Sequence, residues 1–327
     1  MINNINLLSI APMMDRTDLH YRNLLRLISK NTLLYTEMIN TNAIIHDQNN
    51  RFSIESDCNG SVALQIGCSD PASAAKAAKI FSKSNFQEVN INCGCPSNKV
   101  VNGNFGACLM KEPKKVGEMI EAIKENCDIP VTVKTRIGLD NYDTDQFLEE
   151  FISELDEKKV STVIIHARIA ILKGLSPHEN RTIPPLNYQR VKYIKKTFKH
   201  MRIIVNGGII NLNDAKNFLK DFDGVMIGRA AWDNPWMFSS AENTFFDKNI
   251  NVSRYEIINN YLEYANKYLS LGHTQRRLIR PLFNMFYGVQ GSKLWKQQLN
   301  DIANNKIDIN SISNLAYQIE DMILDAA

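Results

Sequence analysis

Over the first 230 positions, short runs of β-branched and other apolar residues alternate with longer stretches whose apolar positions recur at helical spacing. That alternation is the pattern of parallel βα units. Eight runs stand out, at 7–11, 33–36, 62–66, 88–91, 131–134, 162–165, 203–205 and 224–227. The spacing predicts helices between them, such as 71–82, with Asp70 as N-cap and Pro71 at the first helical position, and 113–125. Eight such units predict an α/β TIM (β/α)8 barrel. After Trp232-Asp233-Asn234-Pro235-Trp236 the β pattern is gone, and from Ser253 onward helices are expected at 254–269, 274–285, 291–303 and 309–324. The chain is therefore divided into a barrel domain, 1–242, and a small C-terminal helical bundle, 243–327.

The ends of the runs carry the chemistry. Each stops at or beside a residue that is polar, glycine or proline: Pro12, Glu37, Gln65, Asn92, Lys134, His166, Asn206 and Gly228. In a TIM barrel the carboxyl ends of all eight strands converge on one face, where active sites sit. The fourth run is the most telling, because it passes through Asn92 and Cys93 into Gly94, Cys95 and Pro96, so the turn presents an amide and the Cys95 thiol at that face. A thiol is largely protonated at neutral pH, which suits Cys95 to general-acid work. A nucleophilic role needs a neighbouring base, which the adjacent sequence does not offer and the fold could still supply. Alternation along the strand makes Cys93 the better packing residue.

The last two runs lead into Asn206-Gly207-Gly208 and Gly228-Arg229, the pair of loops that most often hold phosphate in TIM barrels. Paired glycines let backbone N–H groups approach an anion, and an arginine adds a forked cation. A surface arginine between glycine turns remains the plain alternative. No Walker or G-x-G-x-x-G motif opens a helix. A cofactor with one terminal phosphate, spanning the rim toward Gln65, Lys134 and His166, points to flavin mononucleotide, whose reduced ring Lys134 would neutralise. Lys134 also admits a Schiff-base role in an aldolase-type barrel, and His166 a core role.

Composition and charge refine this picture. With hydrophobic residues at 44% and charged residues at 22% of 327, the chain is an ordinary globular protein. The net charge of +3 is small, yet 267–300 contains no acid and holds Lys267, Arg276, Arg277, Arg280, Lys293 and Lys296. Residues 1–6 lack the features of a signal peptide, and no stretch is long and apolar enough to span a membrane, so a cytoplasmic protein is expected. The six cysteines (Cys58, Cys68, Cys93, Cys95, Cys108, Cys127) form no C-x-x-C pair; reduced thiols are expected, and no metal site.

Together, several segments are similar to those of the tRNA-dihydrouridine synthase family over almost the whole chain: Ala11-Pro12-Met13-Met14-Asp15, Leu34-Tyr35-Thr36-Glu37-Met38, Asn92-Cys93-Gly94-Cys95-Pro96-Ser97, 103–110, Val133-Lys134-Thr135-Arg136-Ile137-Gly138, His166-Ala167-Arg168, Asn206-Gly207-Gly208 and Gly228-Arg229. The loop 173–181 resembles the signature of the A-type bacterial subfamily. The resemblance implies that FMN, reduced by NADPH or NADH, passes hydride to C6 of a flipped-out uracil in the tRNA D-loop, at positions 20 and 20a, while Cys95 protonates C5. It further implies that Ala11, Pro12, Met13, Gln65, Lys134, His166, Asn206, Gly207, Gly208, Gly228 and Arg229 hold FMN. Asn92 would contact the substrate nucleotide, and His178, Arg181, Lys293 and Lys296 would orient the tRNA. No protein partner or membrane is implied. Two departures from the family pattern stand out. His178, Lys293 and Lys296 stand where arginine or lysine is common, and Arg16 where an aromatic residue is usual. A flavin barrel acting on a free pyrimidine, and a tRNA chaperone without catalysis, are the competing functions.

Overall fold

The computed structural model describes residues 7–47 and 60–325; Cys58 and residues 1–6 lie outside them. Among the described residues, nine strands form one parallel sheet: β1 (Leu8–Ile10), β2 (Leu33–Tyr35), β3 (Ile39–Asn40), β4 (Val62–Gly67), β5 (Glu88–Cys93), β6 (Val131–Arg136), β7 (Thr162–His166), β8 (Arg202–Asn206) and β9 (Gly224–Ile227). β1 pairs with β9 and β2, and β2 pairs with β4, so eight strands close into a barrel while β3 extends along β4 outside the closed ring. All eight expected runs are strands. The two-residue β3 has too little pattern to be seen in sequence, and β6 runs on through Thr135 and Arg136 past its expected end. Polar residues at a strand's tip made the sequence look finished too early.

Alternation along the strands sorts the side chains. Leu64, Ile66, Val89, Ile91, Cys93, Val133, Ile165, Val205 and Ile227 join the large core between barrel and helices. Their neighbours Ala11, Leu33, Tyr35, Ala63, Ile164, Ile204 and Met226 form a separate apolar cluster inside the barrel. Helices Leu19–Ile28, Pro71–Phe81, Pro113–Lys124, Asp145–Glu157, Tyr188–Thr197 and Leu212–Phe218 cover the outside. Pro71–Phe81 starts as expected: the Asp70 side chain accepts the Ser73 N–H at 2.8 Å, with Pro71 where no donor is needed.

The last part is helical, with Arg254–Ser270, Gln275–Ile279, Ser292–Ala303 and Ile312–Asp325. The single helix expected over 274–285 is broken. Gln275–Ile279 passes into a 3-10 turn, Arg280–Asn284, because Pro281 can neither donate a backbone hydrogen bond nor continue the α ladder. The helical part shares the barrel's main core, which runs without interruption to Ile319. Polar contacts also join them: His20 Nδ1 lies 2.7 Å from Tyr264 Oη, and Asn284 Nδ2 donates to the Trp232 carbonyl at 2.9 Å. Among the described residues, no helix is long and apolar enough to cross a membrane.

Candidate active site

The site is built from the carboxyl end of β5. Asn92 Oδ1 accepts the N–H groups of Gly94 at 3.0 Å and Cys95 at 2.9 Å, folding the chain back over the strand tip. This turn sets Cys95 at the mouth, half-buried, with Sγ 3.5 Å from Ser97 Oγ. The Cys95 carbonyl receives the Ala107 N–H at 2.9 Å. Gly106, at φ +76°, is required beside it, since a Cβ there would lie 2.7 Å from the Cys95 carbonyl oxygen. Cys93, by contrast, is fully buried, and burial pushes its thiol well up. It packs, as the alternation predicts.

Next to β5, β6 brings Lys134 and Arg136 to the same mouth. Lys134 Nζ donates to Asn206 Oδ1 at 3.1 Å, and Asn206 Nδ2 donates to the Met226 carbonyl at 2.8 Å, so three strand ends are tied together. Burial and then the Arg136 charge bring the Lys134 ammonium down to about 7. Arg136 itself is brought down to about 10, chiefly by burial. Its Nε donates to the Gly94 carbonyl at 2.9 Å, and its terminal nitrogen to the Ile169 and Asn180 carbonyls, each at 2.9 Å. His166, at the tip of β7, is held well below its ordinary value by burial and by Arg136, Lys134, Arg168 and Arg181. It stays neutral.

The mouth thus collects cations that depress one another. For Lys134, Arg136 and Arg181, the one opposing influence is the Cys95 sulphur when ionised. Among the described residues, the buried Nε atoms of Arg168 and Arg181 have no hydrogen-bond partner. An anion at this mouth would relieve the mutual depression of the cations.

The backbone leaves room for it. Gly207 has φ +106°, and a Cβ there would sit 2.4 Å from the His166 ring; Gly208 has φ +73°. A Cβ on Gly228 would meet only Ala11 Cβ, 4.0 Å away. Arg229 donates to the Arg181 carbonyl at 3.1 Å, joining the last strand's loop to the segment that holds His178. Ala11 closes the ring through its N–H to the Ile227 carbonyl at 2.8 Å, with Pro12 and Met13 half-buried just beyond it. Gln65 is buried inside the barrel rather than at its rim, with both ends of its amide engaged by Asn90 and Asn92.

The remaining residues lie elsewhere. His178 is exposed. Lys293 and Lys296 are exposed on Ser292–Ala303, the helix that buries Trp295 and Leu299. Trp295 and Phe286 pack against each other, ring centres 4.7 Å apart, while Tyr287 stays exposed. Sequence reasoning did not single out Arg136, Glu88, Asn90 or Thr132. One signal was present, because Glu88, Asn90 and Asn92 make one whole face of a buried strand polar.

Fold and mouth together define a TIM-barrel enzyme that places a thiol beside a rim carrying several cationic side chains. The family model described as dihydrouridine synthase (Dus) matches residues 9–320, and the chain belongs to that family. It is 43% identical over 311 residues to the tRNA-dihydrouridine(20/20a) synthase of Shewanella oneidensis, covering 95% of this chain and 92% of that protein. To the Escherichia coli K12 protein of the same name it is 41% identical over 316 residues, covering 96% and 91%. Among solved structures, morphinone reductase in complex with tetrahydroNAD matches with a TM-score of 0.52 at 14% identity, over 75% of this chain and 88% of that one. An old yellow enzyme homologue from Zymomonas mobilis matches with a TM-score of 0.53 at 11% identity, over 76% and 90%. At such identities the likeness is one of fold.

Proposed function

We propose that this protein reduces the C5=C6 bond of uridine to 5,6-dihydrouridine in the D-loop of tRNA, at positions 20 and 20a. The Shewanella and Escherichia coli relatives carry that specificity in their names, and they match nearly end to end. The observation that carries the chemistry is a half-buried thiol, pinned by Asn92, on a mouth otherwise lined with cations.

The residues present fit FMN. Gly207, Gly208, Gly228 and Arg229 would take its phosphate; Ala11, Pro12 and Met13 would border the ring, with Lys134, His166 and Asn206 along its polar edge and Gln65 beneath the mouth, holding the Asn92 amide. When bound and reduced by NADPH, the flavin supplies a hydride for C6 of the uracil. Lys134 would supply positive charge to the reduced ring. Cys95 gives its proton to C5, so the ring gains one hydride and one proton and the thiol becomes thiolate. Lys134 and Arg136 sit within electrostatic reach of that thiolate, which solvent then reprotonates. Asn92 has one amide hydrogen left after its bond to Gln65, and this hydrogen is available to the substrate base.

The barrel, 1–242, would carry this chemistry and the helical part, 243–327, would grip tRNA through Lys293 and Lys296, aided by His178 and Arg181. The cytoplasm supplies both tRNA and NADPH. Cys95→Ala is the direct test. The variant is expected to purify yellow and to oxidise NADPH, yet to form almost no dihydrouridine on unmodified tRNA. Full turnover by that variant removes Cys95 as the acid.

A further inference from the structure

Inside the barrel, β5 and β6 contribute none of the apolar residues that fill the opposite half, and β4 contributes only Ala63. Glu88, Asn90 and Asn92 alternate on β5; Gln65 on β4 is in register with Asn90, and so is Thr132 on β6. All five are buried, none more than 8% exposed. Their hydrogen bonds run in one direction. The Cys95 and Gly94 N–H groups donate to Asn92 Oδ1; Asn92 Nδ2 donates to Gln65 Oε1 at 2.9 Å; Gln65 Nε2 donates to Asn90 Oδ1 at 2.8 Å; Asn90 Nδ2 donates to Thr132 Oγ1 at 2.8 Å; and Thr132 Oγ1 donates to Glu88 Oε1 at 2.9 Å. Tyr35 Oη donates to the same carboxylate oxygen, and burial beside Glu88 keeps that phenol protonated.

Direction is the informative property. A primary amide can be turned over, and a hydroxyl can donate either way, so nothing in Asn92, Gln65, Asn90 or Thr132 alone chooses an orientation. Glu88 Oε1 accepts both the Tyr35 and the Thr132 hydroxyls, and an ionised carboxylate has no hydrogen to offer in return. Glu88 therefore forces Thr132 to donate, which forces Asn90 to present its NH2 below and its oxygen above. The same constraint passes through Gln65 to Asn92, whose oxygen must face the Gly94 and Cys95 N–H groups. Reversing the chain sets the Asn92 NH2 against those two donors and opens the turn.

We propose that Glu88, five hydrogen bonds from the Cys95 N–H along this relay, is a positioning residue that fixes the Cys95 turn and the orientation of the Asn92 amide through Gln65, Asn90 and Thr132. The consequence for catalysis rests on the uridine-reduction reading; the orientation of the turn does not. A medium with few competing partners strengthens such a chain, since burial keeps a misdirected donor inside the barrel away from bulk water.

The test separates the two. Thr132→Val keeps the shape of the side chain and cuts the relay in its middle; Glu88→Leu removes the terminal acceptor; Glu88→Gln keeps an oxygen that accepts from both hydroxyls. Two measurements are made on FMN-loaded protein: hydrogen exchange of the Cys95 amide in 15N-cysteine-labelled protein, and the rates of flavin reduction by NADPH and reoxidation by unmodified tRNA. Cys95 amide protection is expected to fall roughly tenfold or more in Thr132→Val and Glu88→Leu, with reoxidation by tRNA slower by about 10- to 100-fold. NADPH reduction should stay within about twofold of wild type, and Glu88→Gln should restore both properties. Wild-type protection and wild-type reoxidation in Thr132→Val overturn the proposal. A wild-type protein whose reduced flavin is not reoxidised by tRNA overturns the uridine reading instead, and the amide exchange still decides whether Glu88 orients the turn.

Discussion

Lys134 offers a sharp quantitative test, because its ammonium is brought down to about 7 by burial and by Arg136 while the anion proposed for the mouth would bring it back up. At pH 8 a group titrating near 7 is only about one-tenth protonated, whereas an ordinary lysine near 10.4 is fully protonated. FMN binding to the flavin-free protein at pH 8 is then expected to draw about 0.9 proton from solution; restoration only to pH 9 still gives about 0.8. The phosphate of FMN titrates near 6, below this window, and His166 is neutral throughout it. By linkage, FMN affinity should weaken about tenfold per pH unit between 8 and 9. The sign follows from the charged form: lowering the pH charges Lys134 in the bound state before the free state, so acid favours binding. Titration calorimetry at pH 8 in buffers of different ionisation enthalpy reads the proton directly. Lys134→Met should abolish both the uptake and the pH slope. Heat independent of buffer, with flat affinity from pH 7.5 to 9, would refute the charged-lysine account of the mouth.

Other expectations are simpler. Gly207→Ala should yield a colourless protein, since its φ of +106° and the 2.4 Å approach to His166 leave no place for a methyl group; visible absorbance after purification checks it. Lys293→Ala with Lys296→Ala should weaken tRNA binding and make its salt dependence shallower by about 1.4 to 1.8 in log–log slope. Unchanged affinity across a salt series takes these lysines out of the interface. Glu320 accepts the Arg254 and Tyr255 N–H groups and the Ser253 hydroxyl at the start of Arg254–Ser270, so Glu320→Ala should cost about 2 kcal/mol in urea unfolding. A change under about 0.5 kcal/mol would show that solvent replaces the carboxylate there.

The sequence by itself determined the architecture and the rim. Alternation located all eight barrel strands, and the polar residues at their ends placed Cys95, Lys134, His166 and Asn206 on one face, because parallel strands in a closed barrel share a carboxyl end. The break at Pro281 was also legible in principle, from one residue without an N–H. What only the tertiary structure decided depends on register and burial. Gln65, Asn90 and Thr132 are far apart in sequence and become neighbours because β4, β5 and β6 pair in one particular register. Burial then removes water as a partner, so each of these groups must find another, and the Glu88 carboxylate sets which way the hydrogens point. The low Lys134 value has the same origin: its charge is perturbed by Arg136 and by desolvation, and local sequence encodes neither distance nor dielectric.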